Sequence, residues 1–303
     1  MKNAKRFFLS TVCSLCVLMP VFSESYPMVV KDTLGRTLTI KTRPERIISL
    51  APSNTEILFA IGAGSKVVGV TTVCNYPAEA LKKEKVGGFV ANTISIERIL
   101  SLKPDLVLSS GGMHSTVIEA LERIGIPVYA LEVNSVRTLF EEIQKVGRIT
   151  GNEEKARSLV SSMEERIGRI EKRVAPIPLE KRPRVFWEMY NDPLMTAGKD
   201  TFQSEAIEIA GGVNIFSDLP GSWPIVNQEE VIRRNPDVIM GSDDHEDKLT
   251  VEQIARRPGW SELNAVKNRR IYLISGDQIG RAGPRLVDAI EAMAKALYPE
   301  LFK

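Results

Sequence analysis

Two glutamates occupy equivalent places in a segment that the sequence carries twice. Glu97 and Glu229 each lie seven residues before a Pro-Asp pair, and three aliphatic residues follow each pair. The pattern predicts a short helix that begins near the glutamate, where the helix dipole favours a carboxylate, and that buries Ile99, Leu100 and Leu102 in the first copy. The proline ends this helix, and the aliphatic residues form a buried strand. A repeated helix–strand unit predicts two similar lobes with a cleft between them.

Few side chains could hold a metal ion directly. The sequence has two histidines, His114 and His245, whereas a dedicated zinc site needs three or four converging His, Cys or carboxylate ligands. Haem needs one axial His or Tyr, and His114 is the weak candidate because its Gly-Gly-Met-His loop is predicted to face the cleft. Tyr76 and Tyr190 are further options. The competing interpretation is that His114 is an exposed loop histidine and that His245, in an acidic loop, lies at the surface.

The residue inventory gives poor support to enzymatic chemistry. The sequence has no Gly-x-Ser-x-Gly nucleophile motif, and a Ser-His-acid triad would require one of its two histidines. The glycine-containing stretch at residues 62–66 lacks the spacing of a phosphate-binding loop. We therefore expect a binding protein without catalytic residues or a resident cofactor, and an exported hydrolase is the competing class.

The N-terminus has the pattern of an export signal. Three basic residues precede an apolar run at residues 7–22, and the small residues Ser23 and Ser25 offer cleavage sites. The run is short for a membrane span, so residues 1–25 are predicted to be a signal peptide, with an uncleaved anchor as the alternative. Cys13 and Cys16 also raise the alternative of a lipoprotein anchor. The protein is thus expected outside the cytoplasm, in the periplasm.

Charge and cysteine content limit the kinds of partner that the protein can bind and indicate what stabilises its fold. The chain carries 40 Lys and Arg against 38 Asp and Glu, and losing residues 1–23 removes three basic and no acidic residues, which leaves 37 against 38. A near-neutral chain without a basic stripe is a poor nucleic-acid binder. Cys74 is the one cysteine beyond the signal segment, so packing rather than an internal disulfide must stabilise the fold. We expect it to be a small buried apolar residue.

Strands and helices alternate along the rest of the chain, which predicts an α/β fold with parallel sheets. Residues 27–150 and 176–303 each carry such an alternation and are predicted to be the two lobes. Between them, apolar residues recur at helical spacing, so residues 151–175 are predicted to form the single helix that joins the lobes. At about 23 residues it would be roughly 35 Å long.

Local signals predict where individual elements begin. Residues 29–40 alternate apolar and polar residues around a turn and are expected to form a β-hairpin. Ser53 or Asn54 is the predicted N-cap of the helix after the first buried strand, and Asn152 is the predicted N-cap of the joining helix. Because one stiff helix resists wide bending, we expect modest lobe motion when a ligand binds.

The chain resembles the class III substrate-binding proteins of ABC importers, which carry cobalamin, ferric siderophores or haem. Its pattern is most similar to that of the cobalamin-binding members. Resemblance to this family implies an extracytoplasmic monomer that delivers a captured metal chelate to a permease dimer in the inner membrane. A ligand sensor of the same fold is an alternative. The resemblance is carried by residues 46–56, 75–77, 95–99, 103–107, 196–199, 211–216, 223–224 and 281–285.

The resemblance gives the repeated glutamates a role. In the family, one surface glutamate on each lobe docks onto arginines of the permease dimer, and Glu97 and Glu229 match those positions. One carboxylate per lobe is also a physically reasonable two-point pattern for a two-fold partner. The alternative is that both are ordinary first-turn helix acids, and Glu230 is the rival of Glu229 because the two are adjacent.

The resemblance also implies ligand contacts between the lobes. Trp223 lies in a Gly-Ser-Trp-Pro loop and would offer a flat apolar face to a macrocycle, although a rim-packing aromatic is the alternative. Arg281 could pair with a carboxylate, phosphate or amide edge of a ligand. Positions that are aromatic in cobalamin binders are Val73, Ser110 and Met189 here, which leaves haem and ferric siderophores open. The full set of matched ligand-binding positions is Pro52, Ser53, Phe89, Met195, Trp223 and Arg281.

Overall fold

The computed structural model describes residues 26–243 and 250–302. The predicted signal peptide, with Cys13 and Cys16, and His245 fall outside these residues. Within them, no helix is both long and apolar enough to cross a membrane.

The N-terminal lobe is built on a five-stranded parallel sheet, preceded by the predicted antiparallel hairpin. The strand order in the sheet is β5-β4-β3-β6-β7. The hairpin and sheet strands are β1 (Met28–Lys31), β2 (Thr37–Ile40), β3 (Ile47–Ser49), β4 (Val67–Val70), β5 (Glu84–Lys85), β6 (Leu106–Ser109) and β7 (Val128–Ala130). The helices of this lobe are α1 (Pro52–Ala60), α2 (Ile96–Ser101), α3 (Ser115–Arg123) and α4 (Val136–Thr150).

The C-terminal lobe repeats this plan. Its parallel strands have the order β10-β8-β11-β12, and β9 pairs antiparallel with β8. The strands are β8 (Arg184–Asn191), β9 (Leu194–Thr196), β10 (Val213–Asn214), β11 (Val238–Ser242) and β12 (Ile271–Ile274). The helices are α6 (Phe202–Ile209), α7 (Gln228–Arg234), α8 (Val251–Ala255), α9 (Asn264–Lys267), α10 (Gly276–Ile279) and α11 (Leu286–Leu297).

One long helix, α5 (Glu153–Val174), runs between the two sheets in the sequence. Its buried apolar face packs in a core that continues from the strands of the first lobe to those of the second. Asn152 occupies the N-cap position of this helix as predicted, but its side chain makes no capping hydrogen bond and its amide donates to the carbonyl of Ile61 at 3.0 Å. The core therefore joins both lobes along α5.

The repeated segment folds as predicted in both copies. α2 and α7 are the short helices, and β6 and β11 are the buried strands that follow. Asp105 accepts a hydrogen bond from the Arg46 N–H at 2.9 Å, and Asp237 accepts one from the Arg184 N–H at 3.0 Å. Each aspartate thereby fixes the start of the strand beside it, β3 or β8. Leu100 is an exception to the prediction, since it is 43% exposed on the outer face of α2.

Helix α1 begins differently from the prediction. Pro52 occupies its first turn and Ala51 is its N-cap, so neither Ser53 nor Asn54 caps it. Proline suits this position because its missing N–H would have no partner there. Asn54 is buried instead and donates to the carbonyl of Ser109 at 3.0 Å, which ties α1 to the end of β6.

Candidate functional site

The loops at the carboxyl ends of the N-terminal strands line a cleft of about 420 Å³. Open α/β sheets commonly bind ligands at this edge. Residues that follow β12 in the C-terminal lobe form the opposite wall, so the cleft lies between the lobes. Its lining residues are Ala51, Pro52, Ser53, Asn54, Val73, Phe89, Ser110, Leu131, Glu132, Val133, Phe202, Gly276, Gly280, Arg281 and Ala282.

Four of the six predicted ligand contacts line this cleft, namely Pro52, Ser53, Phe89 and Arg281. Met195, in β9, and Trp223 belong to the C-terminal lobe and are not among the lining residues of this cleft. Met195 forms a bridge with Ile225, two residues beyond Trp223, and the half-buried Trp223 packs against the core. The six predicted contacts thus form two groups: four line the cleft wall, and Met195 and Trp223 lie together in and near β9.

His114 is buried rather than exposed on its loop. Its Nδ1 accepts a hydrogen bond from the Ser110 N–H at 3.0 Å, and its Nε2 bonds the Phe89 carbonyl at 2.7 Å, which requires the proton on Nε2. Both ring nitrogens are therefore occupied, and burial lowers the pKa of His114 and favours the neutral ring. As placed, His114 holds the Phe89 loop and offers no nitrogen to a metal. Among the described residues, no cluster of three His, Cys, Asp or Glu could hold a metal ion.

Arg281 does not point free into the cleft. One of its terminal nitrogens donates to Asn75 Oδ1 at 2.6 Å and to Glu56 Oε1 at 3.3 Å, and the other pairs with Asp277. Arg285, four residues further along the chain, donates to both oxygens of Glu56 at 2.9 and 2.6 Å. These hydrogen bonds raise the pKa of Arg285.

Sequence reasoning predicted Arg281 as a site residue and missed the other four members of this network, which are Glu56, Asn75, Asp277 and Arg285. The spacing of four residues between Asp277, Arg281 and Arg285 was no reliable signal, because Arg281 and Arg285 lie between α10 and α11 and not in one helix with Asp277. Their partners lie more than 200 residues earlier in the chain. No local pattern connects the two segments.

The cleft wall carries little unpaired charge. Among the described lining residues, the charged side chains are Arg281 and Glu132. Glu132 accepts a hydrogen bond from the Gly112 N–H at 3.0 Å, whereas Arg281 is neutralised by its carboxylate partners. The remainder is mostly apolar, so the site favours a ligand without a strong net charge.

A larger groove of about 600 Å³ lies on the other side of the Glu56–Arg285 pair, between α1, α5 and α11. Phe59, Leu159 and Met163 are among its apolar lining residues. It does not include the ends of the strands, and Arg166 at its rim is paired with Asp288 and Glu291. The smaller cleft is therefore the candidate ligand site.

The two repeated glutamates occupy the same helical position. Glu97 is the second residue of α2 and Glu229 is the second residue of α7, and both are exposed. Neither makes an ion pair within the part of the chain that the structure describes. Glu230 differs, because Arg233 and Arg234 bind it at 2.5 and 2.6 Å and lower its pKa to about 2. The geometry pairs Glu97 with Glu229 rather than with Glu230.

The sequence matches the family model of periplasmic binding proteins over residues 47–277. It is 38% identical to YvrC, an ABC transporter substrate-binding lipoprotein of Bacillus subtilis (strain 168), over 93% of this chain and 88% of the relative.

Two solved structures of periplasmic binding proteins are also similar to this chain. The periplasmic vitamin B12 binding protein BtuF of Vibrio cholerae is 30% identical, with a TM-score of 0.71 over 85% of this chain and 98% of that structure. The periplasmic haem-binding protein RhuT from Roseiflexus sp. RS-1 is 28% identical, with a TM-score of 0.74 over 85% of this chain and 99% of that structure. The two-lobed α/β architecture is thus shared by a vitamin B12 binding protein and a haem-binding protein.

Proposed function

Because this chain belongs to the periplasmic binding protein family and is an extracytoplasmic substrate-binding protein of an ABC transporter, we propose that its cargo is a corrinoid such as cobalamin. The cargo binds in the cleft between the lobes. A membrane permease dimer then receives it through contacts with Glu97 on one lobe and Glu229 on the other.

The chemistry of the cleft wall carries the choice of cargo. A corrinoid brings its cobalt already held by the macrocycle and presents neutral amide side chains. Haem brings an iron that proteins hold through an axial His or Tyr, and His114 has no nitrogen to spare. Haem propionates and catecholate siderophores are also anionic, whereas the cleft has a neutralised arginine and the carboxylate of Glu132. A neutral, pre-coordinated chelate fits this wall best.

The proposed contacts divide between two surfaces. Phe89 presents a half-buried ring beside Pro52 and Ser53, and we assign it to the face of the macrocycle. Met195 and Trp223 would meet the part of the cargo that extends beyond the cleft. Haem remains the second candidate because RhuT, a haem-binding protein, has a similar structure and sequence.

A titration of residues 26–303 with cyanocobalamin, haemin and a ferric catecholate siderophore tests the proposal. We expect saturable binding of cyanocobalamin, measured by tryptophan fluorescence and visible absorbance. Phe89→Ala should weaken it about tenfold or more, since one lost aromatic contact is worth at least 1.4 kcal/mol at a binding hot spot.

Phe59→Ala is the matched control, because Phe59 is also half-buried but lines the larger groove. It should leave the affinity for cyanocobalamin unchanged. Loss of affinity in the control alone would move the site to the larger groove. Binding of haemin with a Soret shift, without binding of cyanocobalamin, would replace the corrinoid by haem.

A further inference from the structure

A group of charged and polar side chains joins the two lobes at the floor of the cleft. Glu56 and Asn75 belong to the N-terminal lobe, and Asp277, Arg281 and Arg285 belong to the C-terminal lobe. Glu56 receives two hydrogen bonds from Arg285 and one from Arg281. Asn75 accepts from Arg281 at 2.6 Å and donates to Asp277 at 2.9 Å. We call these five residues the interlobe ion cluster.

The centre of the cluster is shielded from solvent and its charges are balanced, whereas Asp277 is 35% exposed and Asn75 lies at the surface. The Glu56 side chain is 1% exposed, and those of Arg281 and Arg285 are 16% and 17% exposed. Two carboxylates face two guanidinium groups, so the charges of the cluster cancel. Salt screens such buried pairs much less than surface pairs. Separation of the lobes would break all three hydrogen bonds that Glu56 accepts across the junction.

Neighbouring contacts make the junction stiff. The Arg285 guanidinium lies 4.1 Å from the centroid of the Tyr76 ring, which belongs to the N-terminal lobe. Gly283 packs against α1, since a Cβ there would be in van der Waals contact with the Cα of Ser53 at 3.6 Å. Ser53 and Arg281 also line the cleft. The cluster thus lies directly beneath the walls that would hold a ligand.

We propose that the interlobe ion cluster sets the width of the cleft, so that Glu56, Arg281 and Arg285 are positioning residues for cargo binding. The cluster holds the Pro52–Ser53 wall against the Gly280–Ala282 wall with or without cargo. Arg281 acts through this spacing rather than through a salt bridge to the ligand. The effect on lobe spacing is independent of the cargo, whereas the effect on cargo release rests on the proposed function.

Spin labels on the two lobes test the spacing directly. Glu119 in α3 and Arg256 after α8 are exposed, and each can be replaced by a labelled cysteine because Cys74 is buried. We expect one narrow interlobe distance distribution with and without cyanocobalamin. Glu56→Gln should broaden it and should raise the dissociation rate of cyanocobalamin about tenfold or more, because a cleft of variable width is less preorganised to hold the cargo.

Glu188→Gln is the matched control. Glu188 and Arg257 form a buried ion pair at 2.6 Å, with both groups in the C-terminal lobe. This variant should keep the narrow distribution and the slow dissociation. If Glu56→Gln does not fold, Arg285→Lys replaces it, since lysine keeps the charge but not the two-pronged hydrogen bonding to Glu56.

The outcomes separate the two proposals. A broadened distribution in the cluster variant but not in Glu188→Gln supports the positioning role. An unchanged distribution in the cluster variant, or equal broadening in the control, overturns it. If the unmodified protein does not bind cyanocobalamin, the corrinoid proposal fails while the distance measurement still decides the role of the cluster.

Discussion

Neutralising the two repeated glutamates should impair docking to the permease without affecting cargo binding. Glu97 and Glu229 are exposed at the second position of α2 and α7 and have no ion-pair partner among the described residues. Each is therefore free to accept a charge-assisted hydrogen bond from an arginine, worth about 1.5–3 kcal/mol. Replacing either one by glutamine should raise the concentration of binding protein needed for half-maximal transport roughly 10- to 150-fold.

The double variant should show nearly the sum of the two effects. The residues belong to different lobes and share no partner, and distant sites usually contribute additively. The combined loss is then about 3–6 kcal/mol. The assay is ATP-driven cargo uptake into liposomes that contain the cognate ABC transporter, measured against the concentration of binding protein. Affinity for cyanocobalamin, measured separately, should not change.

Glu252→Gln is the control for this experiment. Glu252 is also an exposed second residue of a short helix, α8, behind a Thr250 N-cap. It has the same local geometry but does not belong to the repeat. Its replacement should leave transport unchanged. Normal transport by the double variant, or an equal loss in the Glu252 control, would refute the docking role.

Three further changes have defined outcomes. Trp223→Ala should weaken cyanocobalamin binding about tenfold if the indole contacts the macrocycle. The buried Trp187 and Trp260 remain as fluorescent reporters of folding. An unchanged affinity would assign Trp223 to core packing. Glu188→Ala should lower the free energy of unfolding, measured with urea, by about 3–5 kcal/mol, because it leaves the guanidinium of Arg257 without its carboxylate partner. A loss below about 1 kcal/mol would contradict this. Burial lowers the pKa of His114, so below about pH 6.5 the unfolded chain binds more protons than the folded chain, and the free energy of unfolding should fall from about pH 7 to 5. In His114→Gln the free energy of unfolding should depend less steeply on pH. The same pH dependence in the variant and the unmodified protein would be evidence against this role of His114.

The sequence predicts the parts of this fold that rest on local patterns. The repeat around the two Pro-Asp pairs gives α2, β6, α7 and β11, and the apolar spacing gives α5. Helix α4 was missed, although Ser135 caps it and its buried residues Leu139, Ile143 and Val146 follow a helical period. The burial of His114 could not be read locally, because the Phe89 loop that covers it comes from another part of the chain.

Arg281 connects the geometry of the lobes to the choice of cargo. Resemblance alone assigned it to a carboxylate, phosphate or amide of the ligand, yet its guanidinium is already bound by Asn75 and Asp277. An anionic cargo would have to displace these partners, and it would meet the carboxylate of Glu132 on the opposite wall. A neutral cargo leaves the interlobe ion cluster intact and needs no counter-charge. The same neutralised arginine therefore keeps the lobes together and favours an uncharged, amide-bearing ligand.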